Sequence, residues 1–340
     1  MSLIDIPIIY TDRSERQSIV ARLGARGKMT RTDITGVTSA IVESVRREGD
    51  AAILRYTKEF DFVDLSSENL IVSESEISAA FEATDPELIE VMQEAAENIS
   101  SFHVAQIQPQ VEIDDGRGAR VALLTRPLDL VGIYVPGGTA PLPSSVLMNA
   151  LPAKAAGVRR VVMCTPPRRD GSIAPAILAA ASLAGVDSIY KVGGAQAIAA
   201  LAYGTATIPA VDKICGPGNI YVNTAKRLVF GHCDIDMFAG PSEILIIADE
   251  SATPAFLAAD MLSQAEHDRL ASSILITTSA RIAAETAAEV RRRAQLMPRS
   301  EILTASLRDY AAILVVPGLE DACSFANELA PEHLELCVAE

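Results

Sequence analysis

The chain has 340 residues, 49% of them apolar, with no Trp and a formal net charge of −15. That excess of acid excludes nucleic acid and anionic membrane surfaces as expected partners, and no run approaches the roughly 18 apolar residues that a membrane span needs. Five cysteines, an odd number without framework spacing, suit a reducing cytoplasm. The first residues carry acids early and lack a long apolar segment, so no signal peptide is read there.

Residues 1–30 read as a short arm whose Leu3, Ile6, Ile8 and Ile9 can pack onto a neighbour. Residues 30–59 carry Val37, Ile41, Val42 and Val45, then Ala52, Ile53 and Tyr56, at helical spacing, with a break at Gly49-Asp50. Two more helices follow at 73–80 and 85–104, the second with Leu88, Ile89, Met92, Ala95 and Ile99 on one stripe. This segment reads as a helical layer that packs and does no chemistry. Residues 114–125, with the Asp114-Asp115-Gly116 turn, read as a strand pair.

From Val131 the pattern changes to short strands alternating with helices. Strands are expected at 131–135, 160–164, 188–192, 212–214, 244–248, 273–277, 311–316 and 333–338. Helices are expected at 143–156, 174–184, 195–203, 219–230, 281–293 and 320–329. One more begins at Pro254, after a possible cap at Ser251 or Thr253, and ends in Gln264-Ala265-Glu266-His267. Such alternation implies right-handed βαβ units and parallel sheets. The strands are too many for one sheet, so the expected fold class is α/β, with two Rossmann-like parallel-sheet domains and an N-terminal helical layer. Residues 1–132 with 242–340 would make a discontinuous domain that includes the N-terminal helices, and 133–241 an inserted one.

Four Gly-rich connections follow strands: 134–138, 192–196, 215–219 and 239–242. Glycine lets backbone approach a ligand, and amides at helix starts attract anions such as a pyrophosphate. No G-x-G-x-x-G and no Walker loop is present. One such loop is ordinary turn chemistry; four on successive strands point to a shared ligand cleft.

Gln264 and His267 lie three apart on a helix end, where side chains are neighbours, and form a potentially ligating pair. Glu332 and His333 offer a carboxylate and an imidazole side by side, two candidate bases. Period two sends His333, Glu335 and Cys337 to one strand face and Leu334, Leu336 and Val338 to the other. His103 and His232 read as structural or solvated. Cys215 is a small buried residue on one reading, and on the other the nucleophile of a cysteine-dependent aldehyde dehydrogenase.

Six stretches together carry a resemblance: GIYVPGGTAPLPSSVLMNALPAKAAGV, KVGGAQAIAALAYGT, CGPGNIYV, DMFAGPSEILIIAD, QAEHD and PEHLEL. In order and spacing they resemble histidinol dehydrogenase, over most of the chain from about Ile34 onward. The resemblance implies oxidation of L-histidinol to L-histidine through histidinaldehyde, with NAD used twice, in a cytoplasmic homodimer holding one zinc per active site. It implies zinc ligation and substrate contact by Gln264 and His267, NAD contacts by Tyr134, Gln196 and Asn219, and substrate contact by Ser242 and His333. His333 would be the base for the alcohol proton and Glu332 the group that activates water. The family continues through a further segment that holds an Asp zinc ligand and a His ligand on a tail reaching the partner subunit. No counterpart of that segment is read here, so a fragment with an incomplete zinc site is expected, with an inactive shortened relative as the alternative.

Overall fold

Short apolar runs bounded by Gly and Pro become the strands of two separate parallel sheets, with the apolar-striped helices laid over their faces. The computed structural model describes residues 6–11, 16–24, 31–137, 142–238, 240, 242–297 and 299–339. It divides into a central unit, residues 32–238, and a terminal unit made of the described parts of 1–31 and 239–340. The chain starts in the terminal unit with β1 (Ile8–Tyr10) and α1 (Arg16–Gly24). Of the arm residues read in the sequence, Leu3 lies outside the described residues.

The central unit opens with α2 (Arg31–Glu48) and α3 (Asp50–Phe60), parted at Gly49, whose φ of 59° suits glycine and ends the first helix. Ser73 and Glu76 form a capping box on α4 (Glu74–Ala83). Asp85 caps α5 (Pro86–Ala105), with Pro86 in its first turn. A hairpin follows, β2 (Val111–Asp114) against β3 (Arg120–Leu123), so the Asp-rich turn lies between the paired strands and not ahead of them. The Asp115 carboxylate ties that turn by accepting from the Arg117 and Ala119 amides.

The sheet of this unit is built by β4 (Leu130–Tyr134), β5 (Arg160–Thr165), β6 (Ser188–Lys191), β7 (Lys213–Cys215) and β8 (Asp234–Ile235). Its crossovers carry α6 (Pro143–Ala155), α7 (Pro175–Leu183), α8 (Gly194–Tyr203) and α9 (Ile220–Val229). The strand order is β6-β5-β4-β7-β8, all parallel. Winding runs one way from β4 to β6, then returns to β7 on the other side of β4. That reversal is a topological switch point, where α/β sheets open a crevice beyond the carboxyl ends of the strands.

Adjacent residues of β4 serve opposite faces. Ile133 packs with Val146, Leu147 and Met92, whereas Tyr134 packs with Ile53, Ile198 and Leu201. Helices α2–α5 therefore close over the faces of this sheet, which corrects their expected place in the discontinuous domain. The physical reason is chain order: elements that run directly into a strand usually neighbour it, and an apolar stripe fits any open apolar face. Of the N-terminal residues, only the described ones up to Arg31 join the terminal unit.

The terminal unit continues with β9 (Glu243–Ala248), α10 (Pro254–Ala265), β10 (Ser272–Thr277), α11 (Ala280–Ala294), α12 (Ser300–Tyr310), β11 (Ala311–Val315), α13 (Leu319–Leu329) and β12 (His333–Cys337). Its sheet runs β1-β11-β10-β9-β12, again all parallel. The expected arm thus contributes an edge strand, and Ile6 is buried. Ile244, Ile246 and Ala248 face α10, α11 and α12, while Leu245 and Ile247 face α1 and α13. Neither Ser251 nor Thr253 caps α10 through its side chain; Thr253 is the N-cap residue without a side-chain bond, and Ser251 is tied to Asp249. Among the described residues no helix is long and apolar enough to cross a membrane.

Candidate functional site

In the terminal unit, five singled-out residues come to one edge of one sheet. Helix α10 leaves the end of β9 and must run back to the beginning of its parallel neighbour β10, so its last turn lies by the strand starts. The Ser273 hydroxyl fastens it there by donating to the Met261 carbonyl at 2.8 Å. Gln264 sits in that last turn, and His267 follows just past it, its amide donating to the Gln264 carbonyl at 3.2 Å. Ser242 immediately precedes β9, and its carbonyl accepts from the Ser272 amide at 3.0 Å. Glu332 and His333 stand at the start of β12, where His333 is in register with Ile244.

Register also fixes the face. Laterally paired residues point to the same side of a sheet, and Ile244, Ile246 and Ala248 point toward α10. Their partners His333, Glu335 and Cys337 therefore share one face, as the period-two reading expected, and the register makes it the α10 side. Gln264 is buried, and its Nε2 has no hydrogen-bond partner among the described residues. His267, Glu332 and His333 are exposed, with His333 Nε2 lying 3.8 Å from Glu332 Oε1.

Asp260, one helical turn before Gln264, was not singled out from the sequence. It hydrogen-bonds Glu335, and burial together with the Asp260 charge pushes the Glu335 carboxyl above the usual carboxylate range. Its signal was available, since i and i+4 share a helix face. Gln264 and His267 supply one amide and one imidazole. Among the described residues no group of three or more His, Cys, Asp or Glu is placed to hold a metal ion. The pair alone does not make up a zinc centre, which takes about four ligands.

In the central unit, Tyr134, Gln196 and Asn219 lie where strands end. Tyr134 closes β4, and its hydroxyl accepts from the Gly194 amide at 3.1 Å, bridging to the start of α8. Burial pushes its phenol up to about 12, so it remains protonated. Gln196 is 1% exposed and its Oε1 has no partner among the described residues. That oxygen lies 2.7 Å from where a Cβ on Gly194 would stand, and the Gly194 φ of 64° is one that side chains rarely adopt. Asn219 caps α9 by accepting from the Tyr221 and Val222 amides at 3.0 and 3.1 Å, which leaves its own amide group to donate elsewhere.

The glycines of these loops serve packing before ligand approach. A Cβ on Gly137 or Gly193 would meet Pro166 at 2.5 Å, and one on Gly216 would meet the Tyr134 carbonyl at 2.1 Å. Gly138, Ala239 and Pro241, also in the Gly-rich connections, lie outside the described residues. Lys226 and Asp236 are a second omission of the sequence reading. The fully buried Lys226 ammonium donates to the Gly216 carbonyl at 2.9 Å and pairs with Asp236, which accepts from the Gly216 amide at 2.7 Å. Both backbone groups of Gly216 are thereby clamped, next to Cys215. Burial first, then the Asp236 charge, pushes the Cys215 thiol up to about 11, which suits a small buried residue and not an activated nucleophile.

The profile of the histidinol dehydrogenase family matches residues 25–340. A histidinol dehydrogenase from Moorella thermoacetica is 52% identical over 312 residues, covering 92% of this chain and 74% of its own length. One from Geobacillus kaustophilus is 54% identical over 300 residues, covering 88% and 70% respectively. The crystal structure of a histidinol dehydrogenase from Elizabethkingia anophelis superposes with a TM-score of 0.92 at 40% identity, over 98% of this chain and 76% of that one.

Proposed function

Because the chain belongs to the histidinol dehydrogenase family, an oxidoreductase family of histidine biosynthesis, we propose that it oxidises L-histidinol to L-histidine through L-histidinaldehyde in two NAD-dependent steps. The observation that supports this most is the convergence of Ser242, Gln264, His267, Glu332 and His333 at one edge of the terminal sheet. They come from three separate stretches of sequence, and only the sheet register joins them.

In the first oxidation His333 takes the hydroxyl proton while the carbinol C–H bond breaks. An imidazole suits this, since its ordinary ionisation lies near neutral pH. In the second, Glu332 takes a proton from water as that water adds to the aldehyde carbon, while His333 returns the proton it took earlier to the aldehyde oxygen; the neutral imidazole then takes a hydroxyl proton of the resulting hydrate as its C–H bond breaks. The aldehyde gains one oxygen and becomes the carboxylate. NAD, when bound, supplies the hydride acceptor for both steps. The unpartnered Nε2 of Gln264 is a donor available to the substrate's imidazole, and Ser242 stands at the head of β9, at the same edge of the sheet.

For NAD the fit rests on the switch point between β4 and β7 and on the buried, unpartnered Oε1 of Gln196. Tyr134, Gln196 and Asn219 would hold the cofactor there. Zinc would draw on Gln264 and His267, and it would orient the substrate's imidazole and amine. These two do not complete its ligand set, and no step above runs through it. A cytoplasmic homodimer completes the proposal.

The purified chain and its His333→Asn variant, assayed for NADH formation with L-histidinol, test the reading. The substitution should slow both oxidations by about 100-fold or more, the usual worth of a positioned base. Undiminished turnover in His333→Asn would remove the proposed base.

A further inference from the structure

The amino end of helix α3 is tied to the loop after α8, where the Thr207 hydroxyl donates to Asp50 at 2.7 Å, so its carboxyl end reaches toward the start of α8. Thr57 and Asp61 are one helical turn apart at the carboxyl end of α3, with the Asp61 amide donating to the Thr57 carbonyl at 2.9 Å. Helix α3 packs on α8, and Ile53, Leu54 and Tyr56 share a core cluster with Tyr134 and the residues of α8. Thr57 and Gln196 are buried and Asp61 is half-buried, and Thr57 Oγ1, Asp61 Oδ2 and Gln196 Oε1 are each inaccessible atoms with no hydrogen-bond partner among the described residues. Asp61 also acts electrostatically on Tyr134, whose hydroxyl accepts from Gly194 at the start of α8.

Buried polar atoms are satisfied in nearly all folded proteins, so several in one neighbourhood require an explanation. Two of these three, the Asp61 and Gln196 oxygens, are acceptors only, and the third is a hydroxyl that can take either part. The group that completes them must bring donors. A phosphate brings none and would be repelled by the carboxylate, whereas the vicinal hydroxyls of a ribose bring two. Burial alone pushes Asp61 to about 6, so at neutral pH it is largely ionised, a strong acceptor awaiting a donor.

We infer that Asp61 is a specificity-determining residue that accepts from a ribose diol of the dinucleotide and disfavours a phosphorylated one. This rests on the reading of Tyr134, Gln196 and Asn219 as the cofactor's contacts. An acidic side chain on a ribose hydroxyl is a recognised means of preferring NAD to NADP. Here it would come from a helix preceding the whole sheet and not from a strand end.

The test is direct binding to the purified chain, by titration calorimetry, of NAD, NADP, AMP and nicotinamide mononucleotide. Asp61→Asn and Gln196→Met are compared with the unsubstituted chain. Asp61→Asn keeps the shape and removes a buried charge, so it folds; circular dichroism checks this. The expected result is that Asp61→Asn weakens NAD about tenfold, the worth of one hydrogen bond to a charged group. If the adenosine ribose is the donor, AMP weakens equally and the preference for NAD over NADP shrinks. If the nicotinamide ribose is the donor, nicotinamide mononucleotide weakens instead and the preference holds. The first outcome supports the inference; the second leaves Asp61 as a ribose contact and overturns its role in specificity. If Gln196→Met weakens NAD and Asp61→Asn changes none of the four, the Asp61 role falls and the cofactor site stands. If neither substitution changes NAD binding, or the unsubstituted chain binds no NAD, the cofactor reading falls and the inference with it.

Discussion

Burial raises the ionisation of Cys215 and Asp61 alike, to about 11 and about 6, and the functional consequences differ. A thiol at that level is almost wholly protonated near neutral pH and is a poor nucleophile, since the thiolate is the reacting species. Cys323 is exposed on the same chain and serves as an internal comparison. Brief alkylation with iodoacetamide followed by peptide mass spectrometry should therefore modify Cys323 well before Cys215, and Cys215→Ser should keep most of the histidinol-dependent NADH formation. Early modification of Cys215 with parallel loss of activity would restore the cysteine-dependent alternative. Asp61, by contrast, remains largely charged at neutral pH and is thereby useful as an acceptor. Neither property is visible in a list of residues, because both depend on what the fold stacks around them.

At the scale of elements, the loop after β7 depends on two side chains brought together from α9 and from beyond β8. Lys226 and Asp236 hold both backbone groups of Gly216. Removing one member of a buried ion pair leaves the other's desolvation uncompensated. Lys226→Met should therefore lose about 3 kcal/mol of stability in urea denaturation, and weaken NAD binding by loosening the loop that ends in Asn219. An unchanged denaturation midpoint would show that the clamp contributes nothing. The regular elements themselves were largely legible, because their apolar periods of 3.6 and 2 are strong. What escaped notice was short or locally weak. Strand β8 has two residues, β1 has three and exists through pairing with β11, and α12 shows little beyond Leu303 and Leu307 four apart.

At the scale of the molecule, local pattern says which residues share a face but not which face they meet. The stripes of α2–α5 fit either sheet, and only the fold assigns them to the central one. Alternation along β12 grouped His333 with Glu335 and Cys337; the register with Ile244 was needed to turn that group toward α10. The pairs Gln264–His267 and Glu332–His333 were readable as candidates, and so was their sharing of one cleft at strand-associated edges of the same series; which edge, and which face, took the register. Asp260, Asp61, Thr57 and Lys226 were passed over because acids, hydroxyls and amines on helices are usually solvated, and burial is a property of the fold. The central claim is that this edge performs two oxidations with divided proton chemistry: His333 in both, and Glu332 through water in the second. The measurement that tests it most directly is product analysis of Glu332→Gln supplied with L-histidinol and excess NAD. The account predicts near-normal formation of the first NADH with accumulation of histidinaldehyde and little histidine. Equal loss of the alcohol and aldehyde oxidations, with no aldehyde accumulating, would contradict it.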